Sequence, residues 1–271
     1  MNRIENLLSQ CQNNRKKNLL ISACRAAIDA GKYISRKLNK PHDITMKGAI
    51  DLVTETDIAA EQIIIQTLRN DFPDIAVMAE EQRESHFLTT DQLWVVDPLD
   101  GTTNFAHGFP YCAVSIAFMN KSVAEVAVVY APFQDELFTA IRGSGAWLNN
   151  RPIHVTRTRL LIEALIGTGF PYDIKNCLHG VMQQLQSLLP NVRDIRRAGA
   201  AALDLAYVAC GRLDGFYETH LKPWDTAAGW LLIEEAGGMV STFSGEIYSP
   251  FYPEILASNG KLHQQLLEHL Q

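Results

Sequence analysis

Asp97 and Asp100 stand three positions apart where an apolar run, Leu93-Trp94-Val95-Val96, breaks off and the chain continues as Gly101-Thr102-Thr103. Two unpaired carboxylates at the mouth of a buried strand repel each other and lose hydration, which costs several kcal/mol unless a positive charge offsets it. Further acids fall at the ends of other apolar stretches: Glu80-Glu81 after residues 75–79, and Asp225 where a helical pattern begins. All are hard oxygen donors, with no His or Cys beside them in metal-ligand spacing, a set that suits Mg²⁺ or Mn²⁺ rather than Zn²⁺. Mg²⁺ commonly keeps waters and is completed by substrate phosphate, so phosphoryl chemistry leads. Gly101-Thr102-Thr103 offers what a phosphate wants beside such an ion: close backbone approach, amide N–H groups and hydroxyls.

Each piece also has a plain structural explanation. Asp225 alone is an ordinary helix N-cap, and Glu80-Glu81 alone is a solvated turn. Asp97-Pro98-Leu99-Asp100-Gly101 alone is a turn in which Pro98 fixes φ and Asp97 makes an Asx bond. Spacing leaves both readings open. Other phosphate and hydrolase signatures are absent: no Gly-x-x-x-x-Gly-Lys-Ser/Thr loop, no Gly-x-Ser-x-Gly elbow, no His-Glu-x-x-His.

The elements that must position these groups follow from hydrophobic period. Residues 18–38 read as an amphipathic helix, and 58–69 as a second with Asp57 or Thr56 as its N-cap. Residues 75–79 and 93–96 read as short strands ending in Glu80-Glu81 and Asp97, and 113–118 with 124–129 as a hairpin around Met-Asn-Lys-Ser. Residues 143–155 read as further turn and strand. Residues 200–210 form a helix closed by Gly211, and 213–217 a strand ending at Glu218. The stretch 224–236 is a helix stopped by Gly237-Gly238. Strict βαβ alternation is missing, which predicts α/β layers of sheet and helix rather than a doubly wound fold.

The 271 residues are 47% hydrophobic and 20% charged, enough for a large core. A net charge of −6 disfavours wholesale nucleic-acid binding. Five scattered cysteines without a Cys-x-x-Cys pair argue against a disulfide framework and suit a reducing cytoplasm. No signal-like apolar segment opens the chain and no run reaches membrane-spanning length, so no membrane role is expected.

The stretches "WVVDPLDGTTNF" (94–105) and "KPWDTAAGWLLIEEAGG" (222–238) resemble the two signatures of the inositol monophosphatase family. "DLVTETD" (51–57), the Glu80-Glu81 pair, "GFPY" (169–172) and "RRAGAAALDLAYVACGRLDGFYE" (196–218) resemble its other motifs in order, from about Leu19 onward. The resemblance implies an αβαβα five-layer sandwich spanning 1–271 as one domain, its metal site between two closely packed halves, usually dimeric and lithium-sensitive. It implies two to three Mg²⁺, with Mn²⁺ a substitute, held by Glu80, Asp97, the main-chain carbonyl of Leu99, Asp100 and Asp225. It implies that Asp57 and Thr102 orient the attacking water, with Glu80 also catalytic through a weaker ion. The amides of Gly101 and Thr102 would hold the phosphate, and Gly199, Ala200, Ala201 and Glu218 would line the side of the alcohol.

Three positions depart from the family pattern: Ala79 for Gly, Asn150 for a turn Gly, and Ala200 for Ser or Thr, the last removing a hydroxyl near the substrate. Lys47 sits one residue away from a family lysine. His107 reads as a rim or structural residue, and Trp224 as packing that fixes Asp225. The expected activity is Mg²⁺-dependent hydrolysis of a small phosphomonoester, first myo-inositol monophosphate. Histidinol phosphate, fructose 1,6-bisphosphate, NADP⁺ or 3′-phosphoadenosine phosphates are the alternatives for the same machinery. A second class is a regulatory protein that binds a partner through Arg193, Arg196 and Arg197.

Overall fold

The computed structural model describes residues 3–38, 44–46, 52–82 and 90–270, with the backbone alone at 44–46, 52 and 53. The helices are α1 (Glu5–Gln10), α2 (Asn14–Ser35), α3 (Glu55–Asp71), α4 (Thr102–Ala106), α5 (Ile174–Leu188), α6 (Ala201–Ala209), α7 (Pro223–Glu235) and α8 (His263–Leu270). Strands β1 (Ile44–Met46) and β2 (Leu52–Thr54) make a small antiparallel pair. Strands β3 (Ala76–Ala79), β4 (Gln92–Asp100), β5 (Ala113–Asn120), β6 (Val123–Ala131), β7 (Glu136–Ile141), β8 (Ala146–Leu148) and β9 (Arg151–Pro152) lie in that spatial order in one sheet. Only β3 and β4 are parallel there. A second sheet runs β11 (Asp194–Arg196), β10 (Leu165–Thr168), β12 (Gly215–Thr219), β14 (Glu254–Ser258), β13 (Met239–Ser241).

Helices α2 and α3 cover one face of the seven-stranded sheet, and α6 with α7 fill the space between the two sheets. Helices α5 and α8 pack together beyond the five-stranded sheet. The order is therefore helix, sheet, helix, sheet, helix, as the sequence resemblance implies. Covered on both faces, β4 and β5 are buried along nearly their whole length rather than alternating. Three apolar clusters fill the four helix–sheet contacts, the middle one spanning two of them and joining Phe138 and Val129 to Leu205, Leu231 and Phe216.

Local chemistry explains the element ends. Asn13 caps α2 by accepting the Lys16 N–H. Within α2, Gly31 lets the helix lie against β6, because a Cβ there would come within 2.5 Å of the Tyr130 ring. The hairpin turn between β5 and β6 places Lys121 and Ser122 at φ 49° and 64°, the left-handed pair that matches strand twist. Asn150 takes φ 69°, so it fills the role of the turn glycine it replaces.

Several boundaries differ from the sequence reading. Helix α3 starts earlier, with Thr54 as N-cap; Asp57 sits three residues in and reaches back to the Thr54 N–H, a capping box. Asp225 likewise lies inside α7, where its carboxylate accepts the Lys222 N–H at 2.6 Å. Strand β4 runs on through Asp97 to Asp100, and β12 starts two residues later than residue 213 and carries Glu218 one residue before its end. Lys47 lies outside the described residues.

Candidate active site

Pro98 has no N–H to give the sheet, and the pairing of β4 with β5 shifts register between Asp97 and Asp100. In a regular strand, residues three apart point to opposite faces; this irregularity lets both aspartates reach one cavity. The Asx bond expected for Asp97 is present, the Leu99 N–H donating to its Oδ1 at 3.0 Å. Gly101 follows at φ 89° and caps the short helix α4. A Cβ on Gly101 would lie 2.9 Å from the Tyr111 carbonyl.

The cavity, about 300 Å³, opens between the two sheets. Its acidic wall is Glu80 after β3, Asp97 and Asp100 on β4, Asp225 on α7, Glu218 on β12 and Asp204 on α6. Leu99, Gly101, Thr102, Gly199, Ala200 and Ala201 also line it. Every residue that the family resemblance places at the metals, the water or the substrate is thus gathered there except Asp57, which stands directly behind Thr102. The Thr102 hydroxyl donates to Asp57 Oδ1 at 2.8 Å and lies 3.1 Å from the Leu99 carbonyl. Asp57 Oδ2 is held by the Thr54 N–H at 2.9 Å and the Thr54 hydroxyl at 2.6 Å, leaving Oδ1 for Thr102.

The electrostatics of this wall are those of like charges confined together. Burial pushes the Asp97 carboxyl well above the usual range, and Glu80, Asp100 and Asp225 push it further. Burial raises Asp100 to about 7, with Asp204 and Glu80 adding to it against the Ala202 N–H. Asp225 rises to about 7 by burial, opposed by the Lys222 N–H and helped by Asp100. Glu218 is pushed well up by burial, then by Asp225 and Asp204. The oxygen-only donor set and this shared repulsion fit a hard cation, whose charge would lower all of these values together. Among the described residues no three His, Cys, Asp or Glu side chains are turned as a ready ligation shell. The Asp100 and Asp225 carboxylates serve main-chain amides instead. A carboxylate oxygen carries more than one lone pair, so accepting an N–H leaves room for a cation.

Three functional candidates were missed in the sequence reading. Asp204, raised to about 7 by burial, accepts the Tyr111 hydroxyl at 2.7 Å. Its signal was a single acid within the otherwise uncharged α6. Asn104 lay inside the quoted "DGTTNF"; its amide donates to the carbonyls of Tyr111 (2.8 Å), Ala198 (2.9 Å) and Gly199 (3.2 Å), tying α4 to the Gly199 loop. Gly169 lies against Glu218, and a Cβ on it would fall 2.0 Å from that carboxylate.

The profile of the inositol monophosphatase family matches residues 15–271. The chain belongs to the inositol monophosphatase family. The "Nus factor SuhB" of Pseudomonas aeruginosa is 48% identical over 260 residues, covering 93% of this chain and 96% of that protein. The "Inositol-1-monophosphatase" of Synechocystis is 43% identical over 249 residues, 92% of this chain and 87% of that one. The crystal structure of extragenic suppressor protein suhB from Bartonella henselae superposes with TM-score 0.89 at 39% identity, covering 93% and 98% of the two chains. This is a phosphatase family, and metal-dependent.

Against the family pattern, Ala79 is buried at the end of β3. Ala200 is the N-cap of α6 and makes no side-chain capping bond. The amides it leaves uncapped are taken by Asp100, which accepts the N–H of Ala202 at 2.8 Å, Ala201 at 3.2 Å and Leu203 at 3.4 Å. Arg196 and Arg197 face different partners. Arg196 pairs with Asp194, whereas Arg197 lies over the Phe170 ring and lines the cavity. His107 is exposed at the end of α4, away from the cavity wall, and the Trp224 carbonyl accepts the Ser115 hydroxyl at 3.2 Å.

Proposed function

We propose that the protein is a Mg²⁺-dependent phosphomonoesterase that hydrolyses myo-inositol monophosphate by in-line attack of water. The observation that carries this reading is the crowd of the buried Asp97 and Asp100 with the half-buried Glu80 and Asp225, facing the same cavity that Thr102, bonded to Asp57, also lines. Glu80, Asp97, the Leu99 carbonyl, Asp100 and Asp225 would hold two to three Mg²⁺, with Mn²⁺ able to substitute. When bound, these ions supply Lewis acidity to the water and the leaving oxygen.

The remaining work falls to the chain's own groups. The Thr102 hydroxyl donates its hydrogen bond to Asp57, so an Oγ1 lone pair is left to accept a hydrogen bond from the attacking water and fix its direction. Asp57 is raised by burial and held down by Thr54 and Thr102, so it accepts hydrogen bonds without leaving its place. The amides of Gly101 and Thr102 at the start of α4 receive the phosphoryl oxygens. Glu218, across the cavity, accepts hydrogen bonds from the hydroxyls of a polyol.

Phosphate release from myo-inositol 1-phosphate with Mg²⁺, with EDTA, with Li⁺ and in Asp97→Asn tests this. Mg²⁺-dependent turnover that is suppressed by Li⁺ and absent in the variant supports it; a silent assay alongside turnover of histidinol phosphate would move the substrate assignment. The 48% identity to a Nus factor favours a second reading, a partner-binding role outside catalysis. A pull-down comparing the wild type with Arg197→Ala tests it, and unchanged partners would count against that surface.

A further inference from the structure

We propose that Cys177 and His220 form a thiol-modification site at the mouth of the cavity, which takes up low-molecular-weight disulfides and narrows the cavity when occupied. Cys177 Sγ, on α5, lies 3.4 Å from His220 Nε2 and 3.9 Å from Nδ1. His220 itself lines the cavity, in the connection between Glu218 on β12 and Asp225 on α7. It stands at φ 66°, a left-handed conformation that costs a side-chain-bearing residue free energy and that glycine would take without strain. The chain thus places an imidazole on a tight turn that needs no side chain, within reach of a thiol.

The other cysteines are poor competitors. Cys11, Cys24 and Cys112 are buried, and burial pushes the thiols of Cys24 and Cys112 upward. Cys210 is half-buried, its thiol also raised by burial and its Sγ directed to the Tyr207 carbonyl. Cys177 is the half-buried thiol with a base beside it. The thiolate is the attacking species in exchange, and a neighbouring imidazole receives the proton that must leave.

The step balances. The Cys177 proton passes to His220, and the Cys177 thiolate attacks one sulfur of R–S–S–R. A Cys177–S–S–R bond forms as the S–S bond of R–S–S–R breaks, and R–S⁻ departs and takes the proton back from the His220 imidazolium. The disulfide is the oxidant, and one equivalent of R–SH is released. Because the imidazole in contact with Cys177 is itself part of the cavity wall, a peptide-sized adduct on that sulfur crowds the approach to a cavity of only about 300 Å³.

The test uses the reduced full-length protein and oxidised glutathione, followed by intact mass and peptide mapping. The first adduct should map to Cys177, be absent from Cys177→Ser, and form at least about fivefold more slowly in His220→Asn, which tolerates the left-handed backbone but lacks the base. Narrowing is read without activity, from acrylamide quenching of the cavity residue Trp224, taken as the difference between wild type and Trp224→Phe. Quenching should fall with the adduct and return with dithiothreitol. A first adduct on Cys210, or an equal rate in His220→Asn, would overturn the site; unchanged quenching would overturn the narrowing.

Discussion

Asp100→Ala should unmask a helix cap that this chain has moved to another layer of the fold. Helix α6 begins after Ala200, which has no side-chain oxygen, and its first-turn amides are taken by the Asp100 carboxylate from β4. A serine at an N-cap stabilises a helix by about 1 kcal/mol over alanine. In the wild type Ala200→Ser should yield only a few tenths of that, since Ala202 and Leu203 already have an acceptor. In the Asp100→Ala background the same change should recover roughly the full 1 kcal/mol. The solvation change of losing a buried carboxylate is common to both Asp100→Ala proteins and cancels in the cycle. With an m-value of roughly 3 kcal/mol/M, the serine moves the urea midpoint by about 0.3 M in one background and hardly at all in the other. Four proteins unfolded in urea with EDTA supply the measurement, and hydrogen exchange at residues 201–203 supplies a local check. Equal serine gains in both backgrounds would refute the cap.

Three further outcomes are expected. Asp97→Asn should lower phosphate release by more than about a thousandfold, yet raise the metal-free melting temperature, because it removes one of several confined like charges; calorimetry in EDTA reads the second half. Gly169→Ala puts a Cβ against Glu218 and should raise KM for a polyol phosphate by about tenfold with a smaller change in kcat, read from steady-state kinetics. Metal-free stability should fall as pH rises. Asp100, Asp204 and Asp225 have folded values of about 7 against 3.8 unfolded, so their contribution is complete below pH 3.8 and lost as pH climbs through 7. His263, lowered to about 4 by burial, tilts the other way as pH falls from 6.5, but it is one group against three. Thermal melts in EDTA from pH 5 to 8, repeated with Mg²⁺, check the slope, which Mg²⁺ should reverse.

The carboxylates were legible because burial and charge conflict openly in the sequence: an apolar run with two acids at its end has few peaceful explanations. Their spacing was harder to interpret. Pro98 reads as the end of a strand, whereas β4 absorbs it in a register shift and continues, which is what turns Asp97 and Asp100 to one side. By sequence Asp57 and Asp225 read as helix starts, yet each lies further in because a carboxylate at the third helical position reaches back to the residue before the helix. The five-stranded sheet was mostly illegible. Its strands are three to five residues long, and β10 pairs with segments about thirty and fifty positions later, so no local pattern announces them. Asp204 and Asn104 were hidden for a related reason, since their importance comes from partners distant in the chain.

The acidic wall draws on β3, β4, α6, β12 and α7, from Glu80 to Asp225. During synthesis Asp97 and Asp100 leave the ribosome well before the last of these arrives, so a nascent chain carries the conflict without its resolution. Helix α6 then brings Asp100 its amides, and α7 brings the final carboxylate. A chain cut short before α7 is left without Asp225 and without one of the two helices that pack between the sheets, so truncated products should be inert and easily degraded rather than partly active.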